Sequence, residues 1–227
     1  KWGDNTKPGM VLVHGSGSHS HWWDFIAPLL LEDFQISAID LSGMGDSDHR
    51  EDYSPELYGK EILSVAEDSN FFEVSDPIIC GHSMGGFMSA YAGLISDKKL
   101  GGVIMVDSPI RPPTYDYSTH VRSGPIRRIK TYPDRESILE RFRLTPEQDC
   151  ENEYLVKYIA EWSVKEANNG YQWKFDDTIF DKLGFSHMTK NQAFELECNL
   201  GIIYGTESNM MTEEILSFIK SNVPQGT

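Results

Sequence analysis

Ten residues, Pro77–Gly86, constrain this chain more than any others; they read P-I-I-C-G-H-S-M-G-G. An apolar run, Ile78–Cys80, ends in Gly81, and a small-residue segment, Phe87–Ile95, follows Gly86. This order predicts a strand, a sharp turn and a helix, with G-x-S-x-G at the turn. Ser83 is expected at the tip in a strained backbone conformation. A Cβ at Gly81 or Gly85 is expected to collide with the neighbouring strand or helix. Such a turn lifts the Ser83 hydroxyl to the carboxyl end of a parallel strand. Beneath it, a helix N-terminus offers unpaired N–H groups and a positive dipole end, which suit a developing oxyanion. A plain turn with an exposed serine would use the same residue types. The apolar strand before it and the small-residue helix after it favour a nucleophile.

The flanking sequence repeats the strand-then-glycine theme. Gly9–Val13 reads as a buried strand running into His14-Gly15-Ser16-Gly17, a turn whose backbone N–H groups can approach a ligand. Ser16 is the candidate second oxyanion donor, beside the N–H of Met84. Gln35–Leu41 reads as a strand ending in D-L-S-G-M-G-D-S, where Asp40 fits an Asx-type turn better than a catalytic role. Ser54-Pro55-Glu56 marks a helix start. Leu57, Tyr58, Ile62, Val65 and Ala66 share one face of that helix. Gly102–Val106 is another buried strand and ends at Asp107-Ser108-Pro109. Cys198–Tyr204 returns to a strand, and Thr212 caps a last helix. Trp22–Leu31 reads as a helix with an aromatic face that Pro28 kinks or bounds.

Strands alternating with helices, and apolar along their length, predict an α/β fold: a mostly parallel sheet with helices on both faces. Sites in such sheets lie at the carboxyl ends of the strands. Ser16, Ser83 and Asp107 all fall there. Residues 1–109 and 194–227 form the expected core. Residues 110–193, rich in proline, arginine and aromatics, form an expected cap insertion. Within it, Asn152–Ala167 reads as an amphipathic helix stopped by Asn168-Asn169-Gly170.

Charge and cysteine content bound the partners. Thirty-five acidic against 20 basic residues give a formal charge of −15, which argues against nucleic acid and anionic membranes. No apolar run of about 18 residues is present, so no membrane span is expected. The opening K-W-G-D-N-T-K-P does not read as a signal peptide. Cys80, Cys150 and Cys198 form no C-x-x-C, and buried free thiols point to a reducing, cytoplasmic location. His14, His19 and His21 lack the carboxylate or thiol pattern that would complete a metal site, so no metal is expected. No cofactor is called for.

Taken together, the His14-Gly15 turn, D-L-S-G-M-G-D-S, the G-H-S-M-G-G elbow, the inserted cap and the late strand into G-T-E-S make the chain similar to the α/β-hydrolase family over nearly its whole length. The resemblance implies acyl transfer to water by a serine that a histidine activates and an acid orients. The serine carries over to Ser83, and the oxyanion donors to the N–H groups of Ser16 and Met84. Many members place the acid where this chain has Ser208, with Glu207 beside it. Others, the haloalkane dehalogenases among them, place it at the end of the strand after the elbow helix, which here is Asp107. Asp107 is favoured, because Glu207 would need a register change.

The family's histidine comes on a loop after one further strand, so the resemblance places it beyond Thr227. The family's opening hairpin is likewise expected to be missing. His82 adjoins Ser83, but neighbouring side chains at an elbow diverge; His187 could reach in from the cap. The expected activity is a serine hydrolase acting on a small apolar ester-like substrate. The alternatives are a non-catalytic relative that binds a small apolar ligand, or a cofactor-free perhydrolase. Oligomeric state is open, although a sheet lacking its last strand would expose an edge.

Overall fold

The computed structural model describes residues 1–116, 128–183 and 192–223. Its centre is a five-stranded, wholly parallel sheet. The strands are β1 (Gly9–Val13), β2 (Gln35–Ile39), β3 (Ile78–His82), β4 (Gly102–Val106) and, late in the chain, β7 (Leu200–Ile203). Their spatial order is β2-β1-β3-β4-β7. The chain steps outward from β1 to β2 and then returns to the other side of β1 for β3. The reversal falls between the carboxyl ends of β1 and β3, the position at which open α/β sheets bind ligands. The loops carrying Ser16 and Ser83 leave from those two ends.

Register sets which residues face which layer. Val11 pairs with Ile79, Ile79 with Val103 and Val103 with Leu200, so these residues make one row across the sheet. On that face pack α1 (Pro55–Asp68), α3 (Met84–Ile95) and α7 (Glu213–Asn222), with Tyr58, Ile62, Met88, Ile215 and Ile219 buried. The opposite face, from Met10, Leu12, Ile36 and Cys80, is covered by Trp2, Trp23, Leu30, Leu31 and Phe34. Burial pushes the Cys80 thiol up to about 12, and all three cysteines are free.

Local chemistry explains the helix ends. The Ser54 side chain accepts from the Leu57 N–H at 3.1 Å, and Pro55 opens α1. Thr212 likewise accepts from Ile215 ahead of α7. A short α2 (Phe71–Val74) precedes β3.

Two expected helices differ. Trp22–Leu31 is not one helix but two short 3₁₀ turns, Ser20–Trp23 and Ala27–Leu30. Pro28 lies at the start of the second turn, where it has no N–H to give to a turn before it. The helix expected over Asn152–Ala167 stops at Trp162. It is α5 (Glu153–Trp162), and Val164–Ala167 is strand β5, paired antiparallel with β6 (Gly170–Trp173). Asn168-Asn169 is therefore a two-residue hairpin turn, followed by Gly170 at φ 138°. The Ser163 hydroxyl bonds back to the Ile159 carbonyl at 2.8 Å and closes the helix. The strand expected over Cys198–Tyr204 is shortened to Leu200–Ile203, and the helix after the elbow begins at Met84 rather than Phe87.

Between β4 and β7 lie α4 (Arg135–Leu139), α5, the β5–β6 hairpin and α6 (Ile179–Leu183). This layer joins the core through backbone. The Gly45 N–H donates to the Lys174 carbonyl at 2.8 Å, and the Asp176 N–H to the Gly43 carbonyl at 2.7 Å. Side chains add to the joint: Tyr53 donates to Asp176 at 2.7 Å, and His21 stacks on Trp162.

Candidate active site

The turn after β3 is built as its glycines require. Ser83 has φ 52° and ψ −119°, a conformation that costs a non-glycine residue about 1–3 kcal/mol and persists only where its surroundings enforce it. A Cβ on Gly81 would lie 2.2 Å from the Gly85 carbonyl oxygen, and one on Gly85 would lie 2.3 Å from the His14 carbonyl oxygen. The collisions fall on the following helix and the neighbouring strand, as the sequence predicts. The Ser83 N–H is held by the Val106 carbonyl at 2.8 Å, which ties the elbow to β4.

The loop after β1 closes over the same spot. A Cβ on Gly15 would lie 2.9 Å from the His82 ring and 3.4 Å from Ser83 Cβ, so the loop runs close beside the elbow. The Leu41 N–H donates to His14 Nε2 at 3.1 Å, leaving the proton on Nδ1, which donates to the Gly15 carbonyl at 2.7 Å. That carbonyl also accepts from the Ser18 N–H. In a trans peptide the Ser16 N–H points the other way, clear of these bonds. His14 is buried, which lowers its pKa and keeps the ring neutral in this role. The Gly17 N–H is already engaged by the Met44 sulfur at 3.3 Å. Met84 begins α3, and its N–H is among those left without an intrahelical acceptor.

Asp107 ends β4 with its backbone in the left-handed region, φ 49°. Its N–H donates to the Ile203 carbonyl at 2.7 Å. Its carboxylate accepts from the Ser208 hydroxyl at 2.8 Å and from the Gly205 N–H at 3.3 Å. Both partners come from the loop after β7, so the two positions considered for the acid lie together. Ser208 serves the carboxylate of Asp107, while Glu207 is exposed.

The histidines sort themselves by contact. Burial lowers the pKa of His82, opposed by the nearby Asp107 charge. Its ring lies against Gly15, where a Cβ would be 2.9 Å from Nδ1. His19 is buried, and its Nε2 lies 3.0 Å from the Ser163 hydroxyl on the far side of the loop. His21 pairs with Asp24. His187 lies outside the described residues. Among the described residues, no group of three or more His, Cys, Asp or Glu side chains is arranged to hold a metal. No helix there is long and apolar enough to cross a membrane.

Asp40 proves to be an organiser of its loop. Its carboxylate accepts from the Ser20 N–H at 2.6 Å and the Asp46 N–H at 2.8 Å, and a Cβ on Gly45 would strike it. Burial raises its pKa, but these bonds outweigh burial and leave it lowered. One contributor lies outside the residues singled out from sequence. Ser108 donates to the Ser83 carbonyl at 2.8 Å, and its only sequence signal is its place next to Asp107. Phe175, one of the aromatics of the expected cap, packs against the core cluster that includes Met84 and lies near Gly17.

Comparison with known proteins agrees with this fold. A family model described as "Alpha/beta hydrolase family" matches residues 10–182. A "Serine hydrolase-like protein" of Danio rerio is 30% identical over 128 residues, covering 54% of this chain and 38% of that protein. "Bifunctional epoxide hydrolase 2" of Mus musculus is 27% identical, covering 59% of this chain and 24% of its own length. The chain thus spans well under half the length of these curated relatives. Among solved structures, a thioesterase domain from the curacin biosynthetic pathway superposes with a TM-score of 0.72 at 22% identity, covering 97% of this chain and 83% of that one. E-2-(acetamidomethylene)succinate hydrolase gives 0.74 at 18% identity, covering 98% and 82%. At these identities the structures speak for the fold, and the family match, which runs from within β1 to within α6, speaks for descent: the chain belongs to the alpha/beta hydrolase family.

Proposed function

We propose that Ser83 is the nucleophile of a serine hydrolase that cleaves a carboxylic ester or a related acyl bond. The observation that carries this reading is the strained Ser83 just after β3, held at φ 52° at the point where the strand order reverses. A plain turn that needed this backbone would ordinarily place glycine there. In this reading the Ser83 hydroxyl oxygen attacks the substrate carbonyl carbon and gives its proton to a histidine. The tetrahedral oxyanion is met by the N–H groups of Ser16 and Met84. The histidine returns the proton to the leaving alkoxide, and water, activated by the same base, then releases the acid product. Asp107 orients the histidine and stabilises its charged form. The residues between β4 and β7 act as the cap, with Phe175 among the side chains over an apolar acyl group.

The base is a histidine supplied from outside the described residues. None of the described histidines is bonded to Asp107, whose carboxylate is held by Ser208 and Gly205. The same observation favours a second reading, in which the site binds a small apolar ligand without turnover. Hydrolysis of p-nitrophenyl butyrate by the protein and by Ser83→Ala separates the two. The proposal expects turnover that falls by at least about 10³-fold in the variant. Equal rates in both proteins would overturn it.

A further inference from the structure

Gly81 and Gly85 of the elbow would meet backbone atoms first. Gly86 would meet a side chain first: a Cβ there would lie 2.1 Å from the hydroxyl oxygen of Ser108, with the Gly81 carbonyl oxygen next at 2.9 Å. Ser108 is fully buried. Its hydroxyl donates to the Ser83 carbonyl at 2.8 Å, with the Val106 carbonyl a longer second acceptor at 3.2 Å.

The backbone of Ser83 is thus held at both ends by one short segment. Its N–H is taken by Val106, and its carbonyl by the side chain of Ser108. The Gly86 N–H also donates to that carbonyl, at 3.0 Å, within the first turn of α3. A bond of that kind belongs to any helix start. The Ser108 bond comes from the segment that follows β4, and it is one that the missing Cβ of Gly86 admits. Between Val106 and Ser108 stands Asp107, whose carboxylate is fixed from the other side by Ser208.

We infer that Ser108 is a positioning residue: by holding the Ser83 carbonyl it keeps the elbow serine in its left-handed conformation and in register with Asp107. This rests on the reading of Ser83 as the reacting residue, but its structural part can be tested without it. A misplacement of about 1 Å at a reacting atom costs on the order of 10²-fold in rate. Removing one of several restraints is expected to cost less.

The test compares Ser108→Ala and Gly86→Ala with the unsubstituted protein. Steady-state hydrolysis of p-nitrophenyl butyrate is measured beside a thermal melt and a crystal structure of Ser108→Ala. The expected result is a folded Ser108→Ala protein whose kcat is reduced on the order of 10-fold with KM nearly unchanged. Its Ser83 φ moves away from 52°. Gly86→Ala, whose methyl displaces the hydroxyl and also presses on the Gly81 carbonyl, shows at least the same loss of kcat. An unchanged kcat, or a fall confined to the melting temperature, would overturn the inference. If the unsubstituted protein does not hydrolyse the ester, the nucleophile reading fails. The crystal structure still decides this inference, since an unmoved Ser83 would refute it.

Discussion

The Ser208 hydroxyl donates to Asp107 Oδ2 at 2.8 Å, joining the loop after β7 to the end of β4 across 101 residues of sequence. The position where many relatives carry the acid therefore holds a group that binds a carboxylate instead of being one. With the Gly205 N–H on the other oxygen, both Asp107 oxygens have a donor from the same loop. A carboxylate fixed in this way is well prepared to orient a base.

Asp107→Asn is accordingly expected to lower kcat by about 10³–10⁴-fold, because an amide cannot hold the histidine in its working tautomer. Ser208→Ala should lower it several-fold, with KM little changed. Glu207→Gln should leave it within about twofold, since loss of an exposed charge has little effect. Steady-state kinetics on the three variants checks the set. A large loss in Glu207→Gln with none in Asp107→Asn would move the acid to Glu207.

The glycine contacts give a prediction about stability. A Cβ on Gly85 would meet two backbone oxygens, His14 at 2.3 Å and Val13 at 2.6 Å, neither of which is a flexible side chain. Gly85→Ala should therefore destabilise the fold by about 1–3 kcal/mol or more. A urea titration with an unchanged slope and a shifted midpoint would show it. An unshifted midpoint would mean that the approach of β1 to the elbow is looser than described.

His19 supplies a pH dependence. Burial chiefly depresses its pKa from 6.5 to about 4, against the pull of Asp40. Its Nε2–H donates to Ser163, whose own proton goes to Ile159. The unfolded chain takes up a proton at this group below pH 6.5, and the folded one only near pH 4. Stability is thus full above pH 6.5 and falls as pH drops towards 4, by about 3 kcal/mol from this group at most. His19→Gln, which can still donate to Ser163, should flatten the pH dependence of the urea midpoint across that window. An unchanged slope would assign the proton uptake elsewhere.

How much of this was legible in the sequence follows from how local each signal is. The strands β1 and β4 and the caps at Ser54 and Thr212 were readable because a few adjacent residues determine them. So was the elbow, whose glycine collisions follow from the turn itself. Asp40 holds backbone as expected, but through Ser20 and Asp46 rather than through an Asx turn, since the Ser42 N–H goes to Glu61. The error at Asn168-Asn169 arose because asparagine stops a helix and turns a hairpin equally well. The choice depends on Tyr171 and Trp173, which lie beyond the turn as partners for β5. Likewise, nothing near Gly43 or Gly45 announces that Lys174 and Asp176 will dock there. Ser208 could be placed by its position after the late strand. Its bond to Asp107 needed both strand ends in one frame, and so did the bond from Ser108 to Ser83.

The central claim is that Ser83 is an activated nucleophile. Intact-mass spectrometry of the protein after exposure to a fluorophosphonate, with Ser83→Ala as control, tests it most directly. The account predicts a single adduct that maps to Ser83 and is absent from the control. An adduct that persists in Ser83→Ala, or none on a folded, unsubstituted protein, would contradict it.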